Sequence, residues 1–252
     1  MWTEWRRHFE FTATRPLPGT EAPELPADQW AALSRSLAIF QAGEGGEGRI
    51  AKDIDTFEQP WIDEDYRAAL KLFVREEGRH ARILTNALGE LGGKTLNENW
   101  TERLFLYGRR AMGIELKLTV LTAAEVVGIT FYGELMKALP ECGLKSALGQ
   151  LCEDETEHLA FHTAYFRAAT QTQLRKRAFS VAWRTIASAA LSVVLLDHLA
   201  TLRAFRIPPD AVAARSWALI REVERNVLYP SSSPSAAEPR AKPNRFRSAL
   251  AA

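Results

Sequence analysis

Cysteine is scarce in this chain. Cys142 and Cys152 are the only two among 252 residues, and no C-x-x-C pair occurs. That argues against a zinc ribbon, a rubredoxin-type centre and a disulfide scaffold. Two isolated thiols fit a reducing cytoplasm, the expected location. The opening stretch, MWTEWRRHFEFTATRPLPG, lacks the apolar core of a signal peptide. Long hydrophobic runs are also missing. The longest uncharged apolar stretch, Thr185 to Leu196, is about half of what crossing a bilayer requires, so no transmembrane segment is expected. Charge of one sign is not in excess: the net charge is +1, and no global field points to nucleic acid. Nor do β-branched residues cluster with period two, so no strand is expected. What remains is 46% hydrophobic and 25% charged, the balance of a soluble globular protein long enough to bury a substantial core.

The chain divides by its breaks. Residues 1–27 are polar, bear prolines and read as an irregular arm. A first helix is expected over about 28–55, with Trp30, Leu33, Leu37, Phe40 and Ile50 at helical spacing. Pro60 and the acids around Asp63 open a second helix, which Gly92-Gly93 closes. Its inward stripe is Leu70, Phe73, Glu77, His80 and Leu84, in steps that keep one face. A third helix, capped by Asn99 or Thr101, runs to Leu139 before Pro140, with a break expected near Gly113. A fourth spans about 143–169, with the stripe Leu151, Glu155, His158, His162 and Tyr165. Two more follow over about 172–205 and 210–228. Residues 230–252, rich in Ser, Pro, Ala and basic side chains, read as a disordered tail. The expectation is an all-α protein, a four-helix bundle over 28–170 with two additional C-terminal helices over 171–229.

One pattern on these helices carries chemistry. Glu77–His80 and Glu155–His158 are two Glu-x-x-His motifs 78 residues apart, and each has a glutamate 30 residues upstream, Glu47 and Glu125. Glutamate and histidine three apart on a helix differ by roughly 60° in azimuth, so both can reach one metal ion. Two such helices face to face offer bridging carboxylates and one imidazole to each of two ions, and the remaining glutamates complete the set. Mixed carboxylate and imidazole ligands suit iron or manganese rather than metals that prefer thiolate. Glu44 competes with Glu47, one turn away. Glu115 and Glu134 compete with Glu125, which the equal spacing and the neighbouring Val120, Leu121, Val126 and Ile129 favour.

With this layout, residues 28–170 resemble the ferritin-like di-iron carboxylate superfamily, in which two helices give one glutamate each and two give Glu-x-x-His. The resemblance implies a metal set of Glu47, Glu77, His80, Glu125, Glu155 and His158. In oxygen-activating members, an acid before the paired glutamate holds the histidine of the opposite helix. That implies Asp154 orienting His80 and Glu76 orienting His158, fixing each tautomer. For Glu76 a plain surface acid is an equal reading. His162, one turn beyond His158, reads as an outer-shell proton donor, an added ligand or a packed histidine. Some arylamine oxygenases carry a third histidine where this chain has Leu151, so it departs from their pattern. The glycines of Gln41–Gly48 leave room beside Glu47 or break the helix. Tyr132 reads as a core aromatic near the site.

The resemblance implies two iron ions, with mixed manganese–iron or two manganese ions as alternatives, and O2 as co-substrate. The expected function is an oxidase or oxygenase acting on a small organic substrate, with an external electron donor. A ferroxidase or a rubrerythrin-like peroxide scavenger is the alternative. A homodimer is compatible with the apolar stretch Ile186–Leu196, which otherwise packs on the bundle or lines a channel. Asp197 and His198 have no assigned role. Arg175-Lys176-Arg177 reads as a solvated helix start, with contact to anionic lipid the lesser reading.

Overall fold

The structure is a computed structural model that describes residues 1–44, 50–96 and 113–230. The described residues form an all-α bundle without strands. In chain order the helices are α1 (Trp2–Thr12), α2 (Ala27–Glu44), α3 (Ile50–Thr56), α4 (Glu64–Glu90), α5 (Ile114–Ala138), α6 (Gly143–Ala169), α7 (Gln173–Asp197), α8 (Leu199–Ala204) and α9 (Pro209–Leu228).

Local chemistry accounts for the boundaries. Asp63 caps α4 by accepting a hydrogen bond from the Tyr66 amide at 2.8 Å. The same helix stops where Gly92 takes a positive φ of 56° and the Gly93 amide reaches back to the Leu88 carbonyl. Helix α5 ends at Leu139, whose extended backbone is what a following proline imposes. Cys142 and Thr172 cap α6 and α7 through side-chain acceptors. The expected first helix appears as α2 and α3 on either side of residues 45–49, which lie outside the described residues. So do residues 97–112 and 231–252, and with them the cap at Asn99 or Thr101 and the reading of the tail.

Two expectations are corrected. The first half of the irregular arm is a helix: α1 buries Trp2, Trp5, Phe9 and Thr12 on one face. Trp2 donates its indole N–H to the Trp61 carbonyl at 3.0 Å, and Arg6 pairs with Asp65 at 2.6 Å, docking α1 on α4. The expected fifth helix is broken at His198 into α7 and α8. His198 is buried, bonded through Nδ1 to Ser36 at 2.7 Å and stacked on Phe40. It therefore ties the break to α2. Burial and nearby Arg35 lower its pKa to about 3, so the ring stays neutral. The Asp197 carbonyl accepts from Arg35.

The core has two apolar clusters. One gathers Leu70 and Phe73 of α4 with Leu159 and Phe161 of α6. The other gathers Ile83 and Leu84 of α4 with Leu148 and Leu151 of α6. Between them in both sequences lie the Glu-x-x-His residues, so a polar layer is sealed from water by apolar layers above and below.

Candidate metal centre

Helices α4 and α6 bring Glu77, His80, Glu155 and His158 together. All four are buried, and a ligand atom from each lies within 4.8 Å of the others. The two imidazoles turn the same way. His80 Nδ1 lies 3.1 Å from Glu155 Oε1 and 3.9 Å from Glu77 Oε1. His158 Nδ1 lies 3.0 Å from Glu77 Oε1 and 3.1 Å from Glu155 Oε2. Each carboxylate thus sits against both rings, the placement a bridging ligand needs.

The outward nitrogens meet acids from the opposite helix. His80 Nε2 is 3.4 Å from Asp154 Oδ2, and His158 Nε2 is 3.2 Å from Glu76 Oε2. Both cross-helix contacts implied by the resemblance are therefore present. An acid on Nε2 keeps a proton there and leaves Nδ1 free to bind a cation.

Glu125 of α5 is buried beside this group. Its Oε1 lies 3.2 Å from His162 Nε2, and neither oxygen has a well-directed hydrogen bond among the described residues. His162 is packed edge-on against Phe73 at 4.9 Å. Glu47 lies outside the described residues. Its competitor Glu44, the last residue of α2, is only partly buried as a residue, but its carboxyl group is enclosed and hydrogen-bonds Glu77. The competitors of Glu125 are elsewhere. Glu115 pairs with Arg175 at 3.6 Å, and Glu134 with Arg215 at 2.6 Å. Of the glycines expected to leave room, Gly43 is exposed and a side chain there would meet nothing, so it opens no space toward the site. Gly45, Gly46 and Gly48 are outside the described residues. Tyr132 is fully buried, with its hydroxyl lacking a partner among the described residues and its ring near Glu44 and Glu155.

Three residues that the sequence reading did not name hold the outer acids. Arg15 reaches Asp154 Oδ1 at 2.9 Å, and buried Arg79 reaches Asp154 Oδ2 at 3.4 Å while donating to the Pro16 carbonyl. The Thr12 hydroxyl donates to the Phe9 carbonyl at 3.3 Å and, beside Glu76, helps hold that carboxyl low. The outer side of Arg15 lines a surface cleft of about 480 Å³ with Pro16 and Gln150. Arg79 stands beside His80 in sequence, the one local signal among the three. Thr12 and Arg15 carry no local signal, because their partners lie far along the chain.

The electrostatics follow from this crowding. Burial lowers His80, but the hydrogen bonds to Asp154 and Glu155 outweigh it and bring the ring up to about 10. His158 is raised well above its ordinary value against the same burial by Glu155, Glu76 and Glu77. Burial pushes Glu155 up, yet His158 and His80 hold it down at about 2. Glu125 and Glu44 are driven well up, first by burial and then by neighbouring carboxylates. The layer has more buried acid than its imidazoles can offset. Burying such charge without a counter-charge is costly, and the oxygens of Glu125, without a well-directed hydrogen bond among the described residues, are what an added cation would satisfy. The donor set, carboxylate and imidazole without thiolate, fits hard to borderline divalent metals. Comparison with protein-family models, curated proteins and solved structures finds no match.

Proposed function

We propose that this chain is a non-haem dinuclear metal oxidase or oxygenase of the ferritin-like di-iron carboxylate type. The observation that carries the reading is the doubled geometry: two carboxylates between two inward Nδ1 atoms, with an acid behind each ring. Glu77 and Glu155 would bridge, and His80 and His158 would bind one ion each. Glu125 would be the terminal carboxylate on one side. On the other side it is Glu44 or Glu47, and the enclosed carboxyl of Glu44 beside Glu77 supports Glu44. These residues would hold two iron ions, which would supply the reduction of O2 coupled to oxidation of a small organic substrate.

The chain's own residues do the rest. Asp154 and Glu76 hold the Nε2 protons and fix both tautomers. Phe73, Phe161, Leu84 and Leu151 keep bulk water from the polar layer. His162 holds Glu125 on its Nε2 side, which leaves the second oxygen of Glu125 free to face a metal. The hydroxyl of Tyr132, without a partner among the described residues, would be a donor available to a bound molecule.

The test is anaerobic loading with Fe(II) followed by O2. Two metals per chain by elemental analysis, with O2 consumed in proportion to oxidised organic product, support the reading. A growing ferric mineral without product would make the chain an iron-handling protein. Peroxide consumption without O2-dependent product would make it a scavenger.

A further inference from the structure

Away from the metal centre, α7 and α9 lie side by side on the bundle. They run antiparallel: Lys176 donates to the Leu228 carbonyl at 3.2 Å and Trp183 to the Ile220 carbonyl at 2.9 Å. Buried Glu224 ties the pair together by accepting from Ser180 and Arg184. The inner faces are fully used, with Phe179, Trp183, Ala187 and Leu191 of α7 and Leu219, Ile220, Val223 and Val227 of α9 buried.

The outer faces have an unusual composition. On α7, Leu174 is 78% exposed and Val181 is 68% exposed, and Arg177 and Arg184 stand on the same side. On α9, exposed Trp217, Arg221 and Arg225 follow one stripe, and Tyr229, 75% exposed, closes it. The antiparallel register puts Leu174, Arg177, Arg225 and Tyr229 toward one end and Val181, Arg184 and Arg221 toward the middle. Arg177 and Arg221 have no ion pair among the described residues. Acids are few here. Asp197, at the far end, is the only one in α7; on α9 exposed Asp210 stands at the start of the stripe, away from the arginines, and partly buried Glu222 at its edge. Beyond Tyr229 the sequence carries Arg240, Lys242, Arg245 and Arg247 against Glu238 alone.

We infer that the outer face of α7 and α9 docks on an anionic phospholipid surface. Three features point to that partner. Exposed aliphatic side chains between arginines match the layering of a bilayer interface, where apolar groups enter and cations stay at the headgroups. Trp and Tyr at the rim are the residues that favour this boundary. Like charge argues against the other occupant, a second copy of the chain. An isologous contact would set the arginines of one copy against those of the other. By length and composition α7 is also apolar enough to cross a membrane. Its buried inner face is packed along its length, however, so it meets the bilayer as the side of a bundle.

The experiment is cosedimentation of the full chain with phosphatidylcholine vesicles, with and without phosphatidylserine. Binding is expected only with the anionic lipid and is expected to fall steeply at about 0.5 M salt, where the Debye length is only a few ångströms. Arg177→Ala with Arg221→Ala is expected to weaken it by roughly 25-fold, about fivefold per cation. Leu174→Ser with Val181→Ser is expected to weaken it at both salt concentrations. Circular dichroism on both variants checks that the fold is kept. Equal binding to neutral vesicles, or unchanged binding by the arginine variant, overturns the inference. So does tighter binding to duplex DNA than to vesicles. A dimer in sedimentation equilibrium that dissociates in the Leu174→Ser, Val181→Ser variant assigns the face to a second copy instead. Release by detergent but not by salt would make α7 a spanning helix.

Discussion

The two Glu-x-x-His helices present the same pair inward and different support outward. Behind His80 stands Asp154, held by two guanidinium groups, Arg15 and Arg79, the second of them buried. Behind His158 stands Glu76, which has the neutral Thr12 hydroxyl beside it and no guanidinium pair among the described residues, and its Oε1 has no hydrogen-bond partner among them. One half-site is braced by charge, and the other has only a neutral hydroxyl beside its acid among the described residues. The inner geometry is close to two-fold, and the outer geometry is not. The His80 side should therefore be the stiffer and the more sensitive to loss of its acid.

The comparison can be broken at four depths. The largest effect belongs to the residues common to both halves. Glu77→Ala or Glu155→Ala is expected to take metal content from two ions per chain to none, because each carboxylate lies against both imidazoles. Retention of one tightly bound ion, by elemental analysis after dialysis, would show that the halves load independently. Next come the outer acids. Asp154→Ala leaves Arg79 buried without a carboxylate and is expected to cost about 3–5 kcal/mol in chemical denaturation. Glu76→Ala removes hydrogen bonds to a charged group and is expected to cost less, about 1.5–3 kcal/mol. The reverse order would erase the asymmetry.

The third test uses pH. The folded pKa of His80, about 10, lies above the ordinary 6.5. Its stabilisation of the metal-free protein is thus complete below pH 6.5 and lost as pH rises through 10. Glu155, held at about 2 instead of 4.5, contributes above pH 4.5 and loses its contribution as pH falls through 2. The melting temperature of the metal-free chain should peak between those limits and fall by several degrees toward pH 10. Metal loading replaces the inward protons, so the loaded protein should show a flatter alkaline limb. Equal slopes would contradict the assignment of Nδ1 as the metal-facing atom. The smallest effect is Thr12→Val, expected to cost about 1 kcal/mol and to change the spectrum of a bound metal less than Arg15→Ala does. A larger spectral change from Thr12→Val would place the tighter support behind His158.

Much of this was legible in the sequence where the determining contacts are local. The α6 boundaries, Gly143–Ala169, follow from a proline and glycine before it and a polar turn after it. The inward stripes of α4 and α6 follow from helical spacing, so the four central residues of the cluster could be named in advance. The cross-helix acids came from the resemblance alone. Helix α1 was not legible because it is short and its apolar face has meaning only against Tyr66 and Phe161. Equal spacing favoured Glu47, which lies outside the described residues; among those described, Glu44 is the carboxyl of this segment beside Glu77. The break at His198 depends on Ser36, more than 160 residues earlier.

Helix α1 also has a consequence in time. Its aromatic face is made early in synthesis, but Phe161, which Trp2, Trp5 and Phe9 all touch, is added about 150 residues later. At cellular elongation rates of roughly 5–20 residues per second, these rings wait on the order of 10 seconds or more for their partner. For nearly all of that interval Arg15 has no Asp154 to reach, because that acid also lies on α6. The Arg15 brace behind His80 is therefore encoded first and can engage only after α6 has been made.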